Sequence, residues 1–392
     1  MLSLEPMDLA GPFQWALPPS KSHMIRWLVL AAQSSGRVAL RFSGEPGKDV
    51  TSMADCIESL GAEVERKEGE WIVSGVARNG FMTPRQTLDC GNSGTSARIL
   101  MAIAAGIGGE IRIDGDESLR ERDMSVVADA LRGLGCSVSG DILPLAVTGP
   151  LQKDSVGLDL SSSSQPLSAM LLASPGFPFP VKLSIEGRSV SRRYYEMSYD
   201  IAEICGSHNK FSQGDIEIVP WDVIVPEIVT IPKEDSLLPI AMLISELHGV
   251  RMELEMDEVS PAIISLTEQS AELDLRDESD LICAASVLMA IGKGGIIIGA
   301  SHARGKESDR IDSTLYLLRC FGMNAEATQD GLEIPGGQKP KSPVSTIDTR
   351  RDHRLAMTAM ALASKYGGVI SEPDICAVSD PGFVPRLLEL RD

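Results

Sequence analysis

The chain has 392 residues, 43% hydrophobic and 23% charged, which is the composition of a globular protein of about two domains rather than of a disordered or fibrous one. Its 55 acidic and 36 basic residues give a formal net charge of −19, which argues against binding to nucleic acid or to anionic membranes. The seven cysteines form no CxxC pair, and the N-terminal MLSLEPMDLAG lacks the basic region of a secretion signal. We therefore expect buried free thiols in a cytoplasmic chain.

The first predicted helix begins in the stretch SKSHMIR, residues 20–26. Ser20 suits the N-cap, so Lys21 and Ser22 fall in the first turn, and Arg26 shares a face with Ser22. Free N–H groups, a hydroxyl and two cations that point one way make an anion site. The alternative is a capped surface helix with solvated charges, since the helix dipole disfavours Lys at an N-terminus.

One pattern recurs along the chain: an amphipathic helix that ends in Gly, a short strand, a polar turn and a second strand. The four copies carry a glycine suited to the left-handed position after a helix, at Gly61, Gly135, Gly206 and Gly322. The last spacing, of 116 residues against 74 and 71, is wide enough for a degraded copy near SLTEQSAELDLRD. Such self-similarity predicts a fold of repeated α/β units, about six in all and three in each domain.

Two polar turns follow the first repeat. In LDCGNSGTSARILMAIAAG, residues 88–106, Gly91 and Gly94 flank a turn whose N–H groups could form an anion-binding nest, with Arg98 one helical turn further on. The alternative is a strand-to-helix turn that needs Gly for its backbone angles. In DESLRERDMSVVADALRGLG, Arg120 and Arg122 precede a helix, and an exposed salt-bridged turn is the simpler interpretation.

A run of hydroxyls marks the third repeat. In LDLSSSSQPLSAMLLAS, Ser161 to Ser164 and Gln165 end a predicted strand and begin an apolar helix. These groups could bind a phosphate or a sugar hydroxyl without charge. Capping would need only one Ser, so four in a row favour a functional role.

The segment VPWDVIVPEIVTIPKEDS, residues 219–236, has three prolines and is the candidate linker, with a second crossing near Pro18 and Pro19. Beyond it, LICAASVLMAIGKGGIIIGA (281–300) is the best membrane candidate. Lys293 and four glycines interrupt it, so a buried helix, a glycine turn and a strand fit better.

The C-terminal half has three helix starts that carry both acidic and basic groups. Asp280 precedes one helix, Lys306, Glu307 and Arg310 precede another, and the triplet 352–354 (Asp-His-Arg) precedes a third. Capping explains each start alone, but it does not require Lys or Arg. We therefore expect the polar helix starts to converge on one cleft that binds a polyanion.

The motifs SKSHMIR, GNSGTSAR, SSSSQ, RGKESDR and RRDHRLAM, in this order, resemble those of the EPSP synthase (3-phosphoshikimate 1-carboxyvinyltransferase) family of enolpyruvyl transferases, from about Ser20 to the C-terminus. The resemblance implies an α/β fold, a two-domain inside-out α/β barrel in which each domain has three βαβαββ repeats around buried helices. Residues 19–229 would form the shikimate 3-phosphate side. Residues 1–18 and 230–392 would complete the phosphoenolpyruvate site across an interdomain cleft that closes on the substrate.

The resemblance also implies the reaction, in which shikimate 3-phosphate and phosphoenolpyruvate give 5-enolpyruvylshikimate 3-phosphate and phosphate. The residues that would bind shikimate 3-phosphate are Lys21, Ser22, Arg26, Ser163, Ser164, Gln165, Ser191, Asp280 and Lys306. Those that would bind phosphoenolpyruvate are Lys21, Gly94, Arg122, Gln165, Arg310 and Arg354.

The catalytic candidates are three residues. Asp280 is the expected base for the 5-hydroxyl, and Glu307 or Lys21 the expected acid for the methylene carbon, each role supplying roughly 10²–10⁴ in rate. No cofactor and no metal are expected, since the family chemistry needs none and no His/Cys ligand cluster is visible. The expected partners are the two small-molecule substrates, without nucleic acid or membrane, for a chain that acts as a monomer.

Three positions depart from the family pattern: Asp123 and Arg193 stand where Pro is usual, and Asp380 stands where a Lys is common. The Asp380 change removes one expected phosphoenolpyruvate contact, so we expect weaker phosphoenolpyruvate binding. A phosphoenolpyruvate KM equal to that of a Lys-bearing relative under matched conditions would count against this expectation.

Two alternatives stay open. The sister transferase that acts on UDP-N-acetylglucosamine shares the fold, but it typically carries Lys-Asn near the N-terminus and a loop Cys as acid. Here Ser22 follows Lys21, and Cys90 and Cys136 look structural. The second alternative is a non-catalytic anion-binding protein, supported only by Asp380. A phosphate-release assay with both substrates separates these possibilities.

Overall fold

The computed structural model describes residues 1–9, 11–212, 214–254 and 259–391. The chain divides into two compact units. We call Ser20–Ser43 with Lys48–Pro232 the N-unit, and Met1–Pro19, Gly44–Gly47 and Lys233–Asp392 the C-unit. The chain passes between the units after residues 19 and 232. The short stretch 44–47 also belongs to the C-unit, which no sequence pattern predicts.

The α-helices of the described residues are α1 (Lys21–Gln33), α2 (Lys48–Ser59), α3 (Gly94–Ala104), α4 (Glu117–Arg120), α5 (Ser125–Gly133), α6 (Gln165–Ala173), α7 (Arg192–Ile204), α8 (Leu238–His248), α9 (Pro261–Thr267), α10 (Ile282–Ile291), α11 (Arg310–Cys320), α12 (His353–Tyr366) and α13 (Phe383–Glu389). Short 3-10 helices cover Ser174–Gly176, Asp235–Leu237, Ser279–Leu281, Ser301–Gly305 and Pro373–Val378.

The strands are β1 (Leu2–Leu4), β2 (Phe13–Gln14), β3 (Arg37–Arg41), β4 (Glu63–Lys67), β5 (Glu70–Ser74), β6 (Leu88–Asp89), β7 (Gly109–Asp114), β8 (Ser137–Val138), β9 (Leu145–Gly149), β10 (Ser155–Asp159), β11 (Val181–Glu186), β12 (Lys210–Ser212), β13 (Asp215–Ile218), β14 (Ile228–Thr230), β15 (Met252–Glu253), β16 (Glu272–Asp274), β17 (Gly294–Ile298), β18 (Glu326–Ala327), β19 (Leu332–Pro335) and β20 (Gly368–Ile370).

The N-unit contains three four-stranded sheets of one design, in the orders β14-β3-β5-β4, β6-β7-β9-β8 and β10-β11-β13-β12. In each, the first pair is parallel and the other pairs are antiparallel. Two parallel strands need a crossover connection, which a helix provides in the second and third sheets. The last two strands in each of these orders are antiparallel and can be joined by a short turn as a hairpin. The second and third sheets follow βαβαββ in chain order. The first takes β14 from the far end of the unit, with Ile228 opposite Ala39.

The four predicted helix–glycine–hairpin copies are confirmed. Helices α2, α5, α7 and α11 each end two residues before the marker glycine. The φ of these glycines lies between +71° and +114°, a region that favours Gly because other residues meet a steric penalty there. The degraded copy is instead helix α9 and strand β16. Only four residues separate them, which is too few for two strands and a turn.

The C-unit is less regular within its described residues. Its four-stranded sheet, β16-β17-β19-β18, repeats the N-unit order, with α10 and α11 in the crossover positions. The other sheets are two-stranded: β15 runs parallel to β2, and β1 runs antiparallel to β20. Repeated α/β units are thus present in both units, but only one in the C-unit has all four strands among the residues that the structure describes.

Both cores contain helices that are apolar almost all round, as expected for helices without a solvent face. In the N-unit α1 buries 10 of its 13 residues, and in the C-unit α12 buries 12 of 14. Their polar groups are concentrated at the N-terminal ends, which is where the candidate site residues lie. The segment 281–300 forms α10, a turn and β17 as predicted, and no helix of the described residues is long and apolar enough to cross a membrane.

Candidate active site

The N-terminal end of α1 carries Lys21. The ammonium of Lys21 lies 3.0 Å from Oδ2 of Asp49, a buried carboxylate in the first turn of α2. This partner explains how a cation is tolerated at a helix N-terminus, where the dipole disfavours it. Ser20 occupies the N-cap position, but its side chain makes no cap hydrogen bond to the helix. No sequence signal pointed to Asp49, since it lies 28 residues away.

Arg26 is 1% exposed and most of its guanidinium donors are engaged within the N-unit. Nε donates to Oγ of Ser198 at 2.7 Å, and Nη1 donates to the Ser22 carbonyl at 2.8 Å. Nη2 donates to the Tyr194 carbonyl at 2.9 Å and to Oγ of Ser168 at 3.3 Å. Burial lowers the pKa of Arg26 to about 10. Arg26 therefore ties α1 to α6 and α7, a role that the sequence did not reveal.

The glycine turn before α3 has the expected local structure. Gly91 has a φ of +56°, and the Ser93 hydroxyl caps α3 by accepting from the Ser96 amide. Gly94 is the first residue of the helix, so its amide is one of the N–H groups without an intrahelical partner. The turn thus presents backbone donors at one end of a buried helix.

Three polar side chains border the space above Gly94. A Cβ on Gly94 would lie 2.8 Å from Nη1 of Arg98, 3.4 Å from Nη1 of Arg122 and 3.6 Å from Oε1 of Gln165. Arg122 is held by Asn92, through the carbonyl at 3.0 Å and the side-chain oxygen at 2.6 Å. Arg98 donates to Gln165 at 2.7 Å. We call Gly94, Arg98, Arg122 and Gln165 the glycine cradle.

The other arginine of the third motif differs. Arg120 is exposed and pairs with Asp114 at 2.6 Å, the salt-bridged turn that was the simpler interpretation. This contact lowers the pKa of Asp114. Asp123, which stands where the family usually has Pro, accepts the amide of Ser125 at 2.7 Å and so supports the start of α5.

The serine run ends at the start of α6. The Ser163 hydroxyl accepts from the Gln165 amide at 3.2 Å. Ser164 occupies the N-cap position of α6. Ser164 is 1% exposed, and its hydroxyl has no partner among the described residues. Ser191 is buried at the start of α7 with a φ of +53°, a strained conformation for a non-glycine residue. The Ser164 hydroxyl is thus buried with its hydrogen-bonding capacity unused among the described residues.

Arg310 is the centre of an ionic network in the C-unit. It is 1% exposed and contacts three carboxylates: Asp280 through Nη1, Glu307 through Nη2 and Asp352 through Nε at 2.8 Å. Burial alone would lower the pKa of Arg310, but the three carboxylates outweigh it and raise that pKa well above its usual value. The arginine is therefore a permanent cation.

Lys306 completes this network, with its ammonium 3.7 Å from the same Asp280 oxygen that Arg310 contacts. Asp280 and Lys306 are both partly exposed, whereas Arg310 is closed off. His302, in the preceding turn, is buried, and burial followed by the Lys306 charge lowers its pKa to about 4. The structure thus brings Asp280, Lys306, Glu307 and Arg310 together, as their positions at two helix starts suggested.

Arg354 lies in the first turn of α12. Asp352 caps that helix by accepting the Arg354 amide at 2.9 Å, while its other oxygen receives Arg310. The Arg354 guanidinium donates to the carbonyl of Ser236 at 2.7 Å and to its hydroxyl at 2.8 Å. Its buried Nε has no partner among the described residues. Ser236 was not among the predicted site residues.

Asp380 stands where a Lys is common in the family, and it is 2% exposed. Arg386, one turn along α13, pairs with one of its oxygens and lies over the ring of Trp15 at 5.1 Å. The other oxygen is buried without a partner among the described residues. Burial, only partly offset by Arg386, raises the pKa of Asp380. The position is thus internal to the C-unit and does not present a side chain to solvent.

The cysteines and histidines supply no metal site. All seven cysteines are free, and six of them, including Cys90 and Cys136, are buried. Burial raises the pKa of Cys136 to about 11, so it does not have the character of an acid on an exposed loop. No group of three or more His, Cys, Asp or Glu that could hold a metal is found within the described ranges.

Comparisons with solved structures agree with this architecture. EPSP synthase from Acinetobacter baumannii superposes with a TM-score of 0.78 at 23% identity, covering 99% of this chain and 97% of that one. The enolpyruvyl transferase NikO from Streptomyces tendae gives a TM-score of 0.69 at 12% identity. It covers 99% of this chain and 96% of that structure. These likenesses define the fold as that of the enolpyruvyl transferases.

Sequence comparisons are more specific. The model of the family described as EPSP synthase (3-phosphoshikimate 1-carboxyvinyltransferase) matches residues 8–208 and 217–387. The 3-phosphoshikimate 1-carboxyvinyltransferase of Thermococcus kodakarensis is 32% identical, covering 95% of this chain and 96% of the relative. That of a Bradyrhizobium species is also 32% identical, covering 96% and 95%. The chain belongs to the EPSP synthase family.

Proposed function

We propose that the protein transfers the enolpyruvyl group of phosphoenolpyruvate to the 5-hydroxyl of shikimate 3-phosphate, releasing phosphate. The observation that carries this proposal is the glycine cradle, where two guanidinium groups and the Gln165 amide lie 2.8–3.6 Å from the position that a Cβ on Gly94 would take. Guanidinium groups bind carboxylate and phosphate in a bidentate manner, and both substrates carry both groups. The membership in the EPSP synthase family supports the same reaction.

Phosphoenolpyruvate is assigned to six residues. They supply four positive side chains, the backbone amide of Gly94 and the side-chain amide of Gln165. The six residues are Lys21, Gly94, Arg122, Gln165, Arg310 and Arg354. The buried Nε of Arg354, which has no partner among the described residues, supports a role in binding an anion. Arg310 is held by three carboxylates, so it also fixes those groups relative to one another.

Shikimate 3-phosphate is assigned to four serines, to the Gln165 amide and to four charged side chains, of which Lys21 is shared with phosphoenolpyruvate. These are Lys21, Ser22, Arg26, Ser163, Ser164, Gln165, Ser191, Asp280 and Lys306. The Ser164 hydroxyl supports this assignment, because an unsatisfied buried donor is costly unless a ligand completes it. Arg26 contributes chiefly by holding α1 against α6 and α7, since its own donors already bind protein groups.

The chemistry needs one base and one acid. Asp280 accepts the proton of the 5-hydroxyl as that oxygen bonds to C2 of phosphoenolpyruvate, and an acid protonates the methylene carbon. Loss of a proton from the new methyl group and departure of phosphate then restore the double bond. Glu307 and Lys21 are the candidate acids. Both are held by ion pairs, Glu307 with Arg310 and Lys21 with Asp49.

The test is phosphate release with both substrates, run for the wild type, Asp280→Ala and Asp374→Ala. Asp374 is an exposed C-unit carboxylate and serves as the matched control. We expect turnover in the wild type and the control, and a loss of about 10²–10⁴ in kcat for Asp280→Ala. Absence of wild-type turnover, with shikimate 3-phosphate still bound in calorimetry, would show an anion-binding protein instead. UDP-N-acetylglucosamine as acceptor should give no turnover.

The cellular setting is part of the proposal. Seven free cysteines suit a reducing compartment, so the cytoplasm is the proposed location. The small-molecule substrates require no second chain, and a monomer is proposed. Light scattering coupled to gel filtration tests this assignment, and a mass of twice the chain or more would contradict it.

A further inference from the structure

The C-unit contains a cavity that the proposed reaction does not use. It has a volume of about 360 Å³ and lies among the C-terminal turns of α8, α9 and α10. Its apolar lining includes Leu266, Leu273 and Met289, which are buried, and the half-buried Met242. A cavity of about 300–1,000 Å³ with an apolar lining is typical of small-molecule sites.

The charged groups of this cavity distinguish it from a packing defect. Arg251 and Lys293 both line it, and neither makes an ion pair or a side-chain hydrogen bond with any residue in the described part of the chain. Among the described lining residues Glu246 is the one acidic group, so these residues together carry an excess of one positive charge. Two cations without an ion-pair partner among the described residues, both lining one cavity, are unexpected in a chain with a net charge of −19. They indicate a preference for a negatively charged ligand.

The remaining polar groups narrow the class of ligand. The Ser245 hydroxyl donates to the Val250 carbonyl at 2.6 Å, and the Ser270 hydroxyl donates to the Glu272 carbonyl at 2.8 Å. These two hydroxyls are therefore already used. Ser265 and Gln269 also line the cavity, but they are neutral groups that can hydrogen-bond a ligand of either charge, so charge selectivity is left to the two cations. A ligand with an apolar body and one carboxylate matches the cations and the apolar lining.

The cavity is also separate from the candidate active-site residues of the C-unit. Helix α10 begins two residues after Asp280 and reaches the cavity with Met289. Helix α8 begins two residues after Ser236, the partner of Arg354, and reaches the cavity with Ser245 and Glu246. These helices of 10 and 11 residues are about 15 Å long at 1.5 Å per residue. The substrate-binding candidates and the cavity thus lie at opposite ends of the same two helices.

We propose that this cavity is a second ligand site, which binds small apolar monocarboxylates through Arg251 and Lys293. The proposal does not depend on the proposed enzymatic function, because it concerns binding at a separate position. A ligand of about a dozen non-hydrogen atoms is expected to bind in the millimolar to high micromolar range.

The probe is 3-phenylpropionate, with 3-phenylpropanol as the neutral control of similar shape, titrated by calorimetry and by ligand-observed NMR. We expect saturable binding of 3-phenylpropionate at one site per chain. The double variant Arg251→Gln with Lys293→Gln, and the alcohol with the wild type, should each bind about tenfold more weakly, as expected for losing a charge-assisted contact. Both substituted side chains are exposed, so the double variant should fold normally.

Two further variants separate this site from the glycine cradle, which also attracts carboxylates. Ser265→Trp should abolish binding by filling the cavity, which Ser265 lines. Arg122→Gln, which removes a cradle cation, should leave it unchanged. Binding that is lost in Arg122→Gln but retained in the Arg251/Lys293 double variant would overturn the proposal. So would an absence of saturation with the wild type, or equal binding of acid and alcohol.

Discussion

At Gly94 the backbone leaves a space that Arg98, Arg122 and Gln165 border. Its φ is not in the left-handed region, so the backbone accepts alanine, but the added Cβ would lie 2.8 Å from Nη1 of Arg98, which must shift. We expect Gly94→Ala to raise the phosphoenolpyruvate KM by about tenfold or more, because the methyl group takes the room of a ligand atom and shifts a guanidinium. Shikimate 3-phosphate affinity in calorimetry should change little.

Gly176→Ala is the matched control for this substitution, since no atom lies within 4 Å of the added Cβ. Its kinetics should equal those of the wild type. If Gly94→Ala left the phosphoenolpyruvate KM unchanged, the glycine cradle would not be the place where phosphoenolpyruvate binds.

Asp380 gives a second residue-scale prediction. Replacing it with Lys restores the side chain common in the family, but the position is buried and already adjoins Arg386. We expect Asp380→Lys to lower the free energy of unfolding by about 3–5 kcal/mol, because it puts a second cation into a buried position beside Arg386, and not to lower the phosphoenolpyruvate KM. Chemical denaturation and steady-state kinetics measure the two effects.

Asp380→Asn is the informative companion variant. Burial raises the pKa of Asp380 despite Arg386, which means that the charged carboxylate is less favourable in the folded environment than in water. The Asn variant should therefore be as stable as the wild type at pH 7 or more stable. A marked loss of stability would show that the ion pair with Arg386 is worth more than the burial of its charge costs.

At the scale of elements, the start of α12 combines a helix cap with an ion pair. Asp352 accepts the amides of the first turn with one oxygen and Arg310 with the other. Asp352→Asn keeps a cap acceptor but leaves the buried Arg310 short of one charge, so we expect a loss of about 3–5 kcal/mol. Asp352→Ala should cost about 1 kcal/mol more, the usual value of an N-cap.

Ser93→Ala serves as the reference, because Ser93 caps the buried helix α3 through an uncharged hydroxyl. Its expected cost is about 1 kcal/mol in chemical denaturation. If Asp352→Asn were no more harmful than Ser93→Ala, the Arg310–Asp352 pair would add nothing to stability.

Elements with local signals could be predicted from the sequence, and long-range pairings could not. The glycines at 61, 135, 206 and 322 mark helix ends through a local backbone requirement, so those four modules followed directly. The pairing of β14 with β3 joins residues almost 190 positions apart, and no local pattern encodes it. The two-stranded sheets of the C-unit were likewise not predicted, because no local sequence pattern marks a sheet that lacks the hairpin of the repeat.

The candidate site divides in the same way. Helix starts with Lys, Arg and Ser could be recognised, since capping does not demand those residue types. Their partners could not: Asp49 for Lys21, Ser198 for Arg26 and Ser236 for Arg354 lie 28, 172 and 118 residues away. These contacts decide which cations are held rigidly and which can reach a ligand.

At the scale of the whole molecule, two histidines with lowered pKa values both belong to the C-unit. Burial lowers the pKa of His248 and of His302 to about 4, assisted by nearby lysines. In the unfolded chain these groups take up a proton near pH 6.5, whereas in the folded chain they stay neutral down to about pH 4. The unfolded state therefore binds more protons in this window, and stability falls as the pH falls from about 6.5 to about 4.

His302→Gln tests this expectation, because it removes one of the two titrations. The stability advantage of the wild type over the variant should shrink as the pH is lowered from 7 to 4.5, measured as the difference in Tm at each pH. Hydrogen exchange should also show C-unit peptides losing protection in this range. A difference in Tm that stayed constant with pH would contradict the assigned pKa shift.

The buried thiols give the molecule a built-in reporter of opening. Burial raises the pKa of Cys205 and Cys283 to about 12, and the thiolate is the form that alkylating reagents attack. Folded protein should thus react slowly with iodoacetamide, first at the half-buried Cys320. Four of the seven cysteines lie in the N-unit and three in the C-unit, so mass spectrometry of briefly alkylated protein can time the exposure of each unit without an introduced label.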